Sequence, residues 1–85
     1  MAYRVSLLRS AAHELPDLPS QMQRRVSRAI DGLAADPRPR GAKLLTGADG
    51  IWRVRVGDFR ILYRVNDDQL GVLVLRIRHR RDAYR

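Results

Sequence analysis

Between Ile51 and Val65 the chain reads as two alternating runs either side of Gly57-Asp58, and no other stretch limits the possible folds as tightly. Ile51–Val56 and Phe59–Val65 both switch between apolar and polar residues at period two, and a two-residue connection with glycine first is a strong signal for a tight β-hairpin. Such a turn sets the pairing. Val56 falls opposite Phe59, Arg55 opposite Arg60, Val54 opposite Ile61 and Trp52 opposite Tyr63. Pleat alternation then separates two faces: Trp52, Val54, Val56, Phe59, Ile61, Tyr63 and Val65 point one way, while Arg53, Arg55, Arg60, Leu62 and Arg64 point the other.

The remaining elements supply what must cover the apolar side. Tyr3–Leu8 alternates and reads as a first strand with Tyr3, Val5 and Leu7 on one face. Ser10 is placed to cap a short helix through Leu15, restricted by Pro16 and Pro19. A longer helix is expected from about Ser20 to Ala35, with Ser20 and Gln23 in capping-box spacing and Met22, Val26, Ile30 and Leu33 forming one apolar stripe. Residues 37–50, rich in proline and glycine, read as a surface loop around Leu44 and Leu45. After the hairpin, Asn66–Gln69 turns the chain into a last strand over Leu70–Ile77 or beyond. The expectation is an α+β fold of order β-α-α-β-β-β, a single domain over residues 1–85, with two N-terminal helices on one face of a small antiparallel sheet. Trp52 and Tyr63, and with them Tyr3, are expected in the core, and His13 on the surface. The second face of the sheet is left open.

Composition bears on that open face. The 85 residues carry 17 Lys+Arg against 9 Asp+Glu, a net charge of +8, and no cysteine. A chain this short buries only about 60–65% of its unfolded surface. No disulfide or thiolate metal site can reinforce it, and two histidines make a structural metal improbable. No apolar window approaches a signal peptide or a membrane span, which suits a small soluble cytoplasmic protein. Sixteen of the cations are arginine, and Lys43 is the one lysine. Residues 1–36 hold five arginines against four acids, whereas residues 37–85 hold twelve cations against five acids. Arginine's planar fork suits phosphate, and codon bias is the plainer reading of the arginine-to-lysine ratio, but codon bias does not explain that placement.

Like charges directly opposed across a sheet destabilise it, so Arg55 facing Arg60 is a cost unless an anion bridges them. A solvated face of soluble arginines is the plain alternative. Four arginines on one hairpin face, with no acid among them, favour an anion site instead. Arg76, Arg78 and Arg80 add a second alternating row whose register depends on the length of the Asn66–Gln69 turn. His79 supplies an imidazole suited to proton transfer near neutral pH, although a lone histidine is more often structural. Tyr84, close to the last residue amid arginines, is either an exposed tail residue or a group that stacks on a base or relays a proton. The chain has no phosphate-binding glycine loop, nucleophile elbow, HExxH motif or acidic cluster for magnesium. Chemistry that remains open is metal-free and acts on an anion. RNA cleavage by attack of its own 2′-hydroxyl qualifies, because the substrate brings the nucleophile.

Residues 52–63, WRVRVGDFRILY, and residues 78–84, RHRRDAY, resemble the C-terminal half of the RelE/ParE toxin superfamily of bacterial toxin-antitoxin systems. Ala12, Leu15, Leu18-Pro19, Ile30, Leu33, Asp36-Pro37, Lys43 and Leu44 match landmarks of its N-terminal half, so the likeness spans nearly the whole chain. The resemblance implies a RelE-like microbial ribonuclease-type fold and a toxin wrapped by a cognate antitoxin. It also implies a ribosome-dependent, metal-independent mRNA endoribonuclease needing no cofactor. Carried over residue by residue, it assigns Arg60, Arg80, Tyr84 and His79 to catalysis and Arg53 and Arg55 to RNA or phosphate; the arginine face and the basic tail add Arg64, Arg78 and Arg81 as further phosphate-binding candidates. Some relatives have lysines at the positions of Arg53 and Arg55. Arginine is too basic to accept a proton readily near neutral pH, so these two suit phosphate clamping. That departure keeps a second branch open, in which ParE-like members inhibit DNA gyrase by binding alone. A third possibility is an inactive binding relic of the fold.

Overall fold

A computed structural model describes residues 2–47 and 49–81. Strand β1 (Arg4–Leu7) leads into helix α1 (Arg9–Glu14), a 3-10 turn (Leu15–Asp17) and helix α2 (Ser20–Gly32). Strands β2 (Lys43–Leu44), β3 (Trp52–Val56), β4 (Phe59–Asn66) and β5 (Gly71–His79) follow. They form one five-stranded sheet in the order β1-β5-β4-β3-β2.

The hairpin pairs as its spacing predicts: Arg55 opposite Arg60, Val54 opposite Ile61 and Trp52 opposite Tyr63. Gly57 has φ +59°, and Asp58 is not among the residues with positive φ, as a tight turn with glycine first requires. A β-carbon at Gly57 would also come within 3.2 Å of the Met22 side chain, so helix α2 approaches the turn closely.

The core lies between the helices and one face of the sheet. Val26, Ile30 and Leu33 of the expected stripe are buried against Val54, Val56, Ile61, Tyr63, Val72, Val74 and Ile77, with Ala11 and Leu18 closing the cluster. Val5, Leu7, Met22 and Phe59 pack around it, each partly buried. Among the described residues the opposite face carries no helix, as four antiparallel strands permit.

Several expectations are corrected. The sheet is mixed, because β1 runs parallel to β5. Alternation reports which face a side chain takes but nothing about strand direction. Residues 37–50 are not wholly loop: Lys43 and Leu44 pair with Arg53 and Trp52 as a fifth strand, too short to show a period. The loop is anchored by Pro37, which is buried, while Leu44 is 54% exposed. Tyr63 donates to the Pro37 carbonyl at 2.7 Å.

Trp52 is only half-buried, with the Arg38 guanidinium 5.3 Å from its ring centroid. Tyr3 is also half-buried and donates to Asp67 at 2.7 Å. Ser10 does not cap α1. The capping position is Leu8, without a side-chain bond, and the Ser10 hydroxyl donates to the Leu75 carbonyl at 2.6 Å. Ser20 is the first residue of α2 behind Pro19, and Gln23 donates to the carbonyls of Pro16 and Leu18. Helix α2 ends at Gly32; residues 33–35 continue as tighter i→i+3 turns.

Candidate nucleic-acid interface

A β-bulge decides what the open face carries. Along β5, Val72 and Val74 oppose Val65 and Tyr63, but Arg76 opposes Leu62 and Ile77 opposes Ile61, so Leu75 is an extra residue. Strict alternation would have put Val72, Val74, Arg76 and Arg78 on one face, driving two charges into the core. One extra residue reverses the parity. Ile77 turns inward, and Arg76 and Arg78 join the arginines of the hairpin.

Two cationic rows result. Arg55, Arg60 and Arg78 are directly paired across β3, β4 and β5. Next to them, Lys43, Arg53, Leu62 and Arg76 are paired across β2 to β5. Arg60, at the centre of the first row, is only 7% exposed, whereas the hairpin pattern alone suggested a wet position. Arg55 and Lys43 are exposed and Arg53 is half-buried. None of these three forms an ion pair among the described residues.

An acid reaches the edge of these two rows. Glu14, at the end of α1, accepts from Arg76 Nε at 3.0 Å and Nη2 at 2.8 Å through Oε2. The same oxygen lies 3.8 Å from Arg78 Nη1, and Oε1 accepts the Ile77 backbone N–H at 2.8 Å. Strand β1 stops at Leu7, leaving the far half of β5 without a neighbour on that side. Ser10 and Glu14, one helical turn apart, satisfy its exposed backbone groups. Helix α1 thus secures the strand segment that presents Arg76 and Arg78.

A family model described as the ParE toxin of the type II toxin-antitoxin system parDE matches residues 5–84. The chain is a type II toxin of the RelE/ParE family. Toxin RelG of Mycobacterium tuberculosis is 34% identical over 86 residues, covering 100% of this chain and 99% of the relative. A putative toxin RelE1 of Methanocaldococcus jannaschii is 31% identical over 88 residues, covering 100% and 98%. The crystal structure of an archaeal RelE-RelB complex from Pyrococcus horikoshii contains a chain that superposes with a TM-score of 0.83 at 31% identity. It covers 98% of this toxin and 100% of that chain. The α+β architecture is therefore that of RelE toxins.

The toxin divides the residues singled out from its sequence into three groups. Arg53, Arg55, Arg60 and Arg78 are brought together on the open face. Arg64 shares that face but stands four residues along β4 from Arg60. His79 is on the helix side of the sheet, opposite Phe59, whose ring it meets edge-on with centroids 5.2 Å apart. Arg80 and Arg81 follow the end of β5 and are exposed; the Arg80 N–H donates to the Asp58 carbonyl at 2.7 Å, tying the strand end to the hairpin tip. Tyr84 lies outside the described residues.

Lys43 and Glu14 are the site neighbours that sequence reasoning did not place. Lys43 sits in a strand of two residues, and Glu14 reaches β5 from a helix 62 positions away. No periodic signal marks either. No helix among the described residues is long and apolar enough to cross a membrane.

Proposed function

We propose that this toxin is a RelE-like, ribosome-dependent, metal-independent endoribonuclease that cuts messenger RNA and so stops translation in the cytoplasm. The observation that carries the reading is the Arg55–Arg60–Arg78 row on an open sheet face, with its central arginine almost wholly buried. A guanidinium held in such a place presents fixed donors to a phosphate without reorganising when charge develops. Attack by the ribose 2′-hydroxyl on its own phosphate builds negative charge on the phosphoryl oxygens, which is the charge such a row stabilises. The names of the relatives above 30% identity, all toxins of the RelE group, support the same reading.

In this scheme Arg53 and Arg55 clamp backbone phosphates, Arg60 stabilises the scissile phosphate, and Arg78 completes the row. Arg80 acts beside Arg60 or orients the ribose, with Arg81 as a further phosphate contact. Tyr84 relays a proton or stacks on a base. His79 is the less favoured candidate for proton transfer, because it belongs to the helix side of the sheet. The partner in the resting state is a cognate antitoxin, as in the RelE–RelB complexes solved for relatives. Its acidic or apolar groups would cover the arginine face or displace the residues after β5.

The family model's own description favours one rival, a ParE-like toxin that inhibits DNA gyrase by binding and cuts nothing. Toeprinting of translating ribosomes separates the two. Codon-phased cuts are expected from the wild-type protein, with a loss of about a hundredfold or more in Arg60→Ala and Tyr84→Phe. Arg60→Lys, which keeps the charge without the planar fork, should remain impaired. Absence of cuts together with inhibited gyrase supercoiling would overturn the nuclease reading.

A further inference from the structure

The open face does not end at the two arginine rows. Further along the same strands, Arg64, Leu73 and Ser6 are paired across β4, β5 and β1, and beyond them Asn66, Gly71 and Arg4. With the β4–β5 turn these residues enclose a shallow concavity of about 1000 Å³. Gly71 is its floor: a β-carbon there would meet nothing within 4 Å, so the space above the backbone is open. Arg4 and Arg64 are both exposed and form no ion pair among the described residues. Two acids stand at the rim. Asp67 is taken up by a two-bond contact with Arg38, leaving Asp68 as the acid without an ion pair among the described residues. The Asn66 side-chain oxygen accepts the Gln69 N–H at 3.0 Å.

We infer that this glycine-floored notch is a second polynucleotide subsite, holding the continuation of the same single RNA strand whose phosphates the arginine rows bind. The inference rests on the RNA reading proposed above. Arg60 and Arg64 are four residues apart on β4, about 13 Å at roughly 3.3 Å per residue. A stacked strand advances about 3.4 Å per nucleotide, so the notch meets the backbone about four nucleotides from the scissile phosphate. Along β4 Leu62 lies between Arg60 and Arg64, and Leu73 lies beside Arg64; both are half-buried and form an apolar saddle on which unpaired bases can rest. Charge, apolar surface and charge again, in that order along β4, match a phosphate backbone with stacked, unpaired bases.

The test uses fluorescence anisotropy of the full chain with 2′-O-methyl RNA, which cannot attack its own phosphate, as a labelled trinucleotide and a labelled octanucleotide. Wild-type protein should bind the octanucleotide more tightly by on the order of tenfold. Its affinity should fall more steeply with salt, by a slope difference of about 1.4 for two added phosphate contacts on a single strand. In Arg4→Ala the length advantage should shrink and the extra slope should fall by about half while trinucleotide affinity stays the same. Gly71→Val fills the notch without altering charge and should lower the length advantage as well. An advantage retained in both variants, or equal losses for both oligonucleotides, overturns the second subsite. Trinucleotide binding with no length advantage in the wild type, or binding of neither oligonucleotide, overturns this inference, whereas the RNA reading stands or falls with the toeprint.

Discussion

Arg60 and Tyr63 stand three positions apart on β4 and take opposite faces, and their identities follow from what each face contains. Tyr63 is fully buried in the core and spends its hydroxyl on the Pro37 carbonyl. Burial disfavours the phenolate and pushes its pKa up to about 12. Below pH 10 the group is protonated in both the folded and the unfolded chain and has no pH effect. Between about pH 10 and 12 the unfolded chain releases the proton while the folded one keeps it, so stability falls as pH rises. Tyr63→Phe should cost about 1 kcal/mol at neutral pH through the lost hydrogen bond. It should also shrink the alkaline loss, followed as the urea midpoint across a pH series. Some loss should persist through Tyr3, whose hydroxyl is pushed in the same direction by its bond to Asp67. An alkaline slope identical to wild type would assign the effect to other groups. Sequence alternation placed Tyr63 correctly. It put Trp52 and Arg60 on the right faces but misjudged how buried each is, because alternation reports the side of the sheet and not how completely neighbouring segments cover it.

Among elements, the junction of α1 with β5 has the greatest consequence for the site. Strand β5 is longer than its neighbour β1, and beyond Val74 its edge groups would face solvent without a partner. Ser10 and Glu14 meet them, and the bulge at Leu75 lies in this supported stretch. Glu14→Ala should therefore destabilise the toxin by about 2–3 kcal/mol, since it strips both the Ile77 N–H and the Arg76 guanidinium of their acceptor. Glu14→Gln keeps a carbonyl oxygen for Ile77 and should cost about half as much. Chemical denaturation with both variants is the measurement; equal losses would place the whole effect in the charge. None of this was legible in the sequence. Ser10 has the residue type and position of a helix cap, and only the length mismatch between β1 and β5 gives it a different carbonyl to serve, that of Leu75, 65 positions away.

For the molecule as a whole, one polar cluster closes the chain on itself. Arg38, from the loop after α2, makes two bonds to Asp67 in the β4–β5 turn, and Tyr3 from the first residues reaches the same carboxylate. Arg38 and Tyr3 together hold the Asp67 pKa down, to about 2. A carboxylate with a depressed folded-state pKa contributes stability above about pH 4 that is lost as pH falls through about 2. Asp67→Asn should flatten the acid limb of the stability curve over that interval. Thermal melts between pH 2 and 6 will show it; an unchanged acid limb would mean that other carboxylates govern it. The cluster also removes the Asp67 charge from the rim of the open face, which leaves that face more cationic than a count of its residues suggests.

The hairpin register, the inward and outward sets of side chains on it, the helical stripe and the excess of arginine were determined by the sequence alone. Each depends on local spacing: period two for a strand, a periodic apolar stripe for a helix, two residues for the turn. What joins Arg76 and Arg78 to the hairpin arginines, what adds Lys43 beside Arg53, and what sets β1 parallel to β5 was decided only in three dimensions. A bulge inserts one residue without leaving a mark in hydrophobic periodicity, and a two-residue strand is shorter than any period. Pairing direction depends on where the helices return the chain. One opposed pair, Arg55 and Arg60, among four arginines on the hairpin face was visible in the sequence as a local cost; the tertiary structure extends that face into two cationic rows.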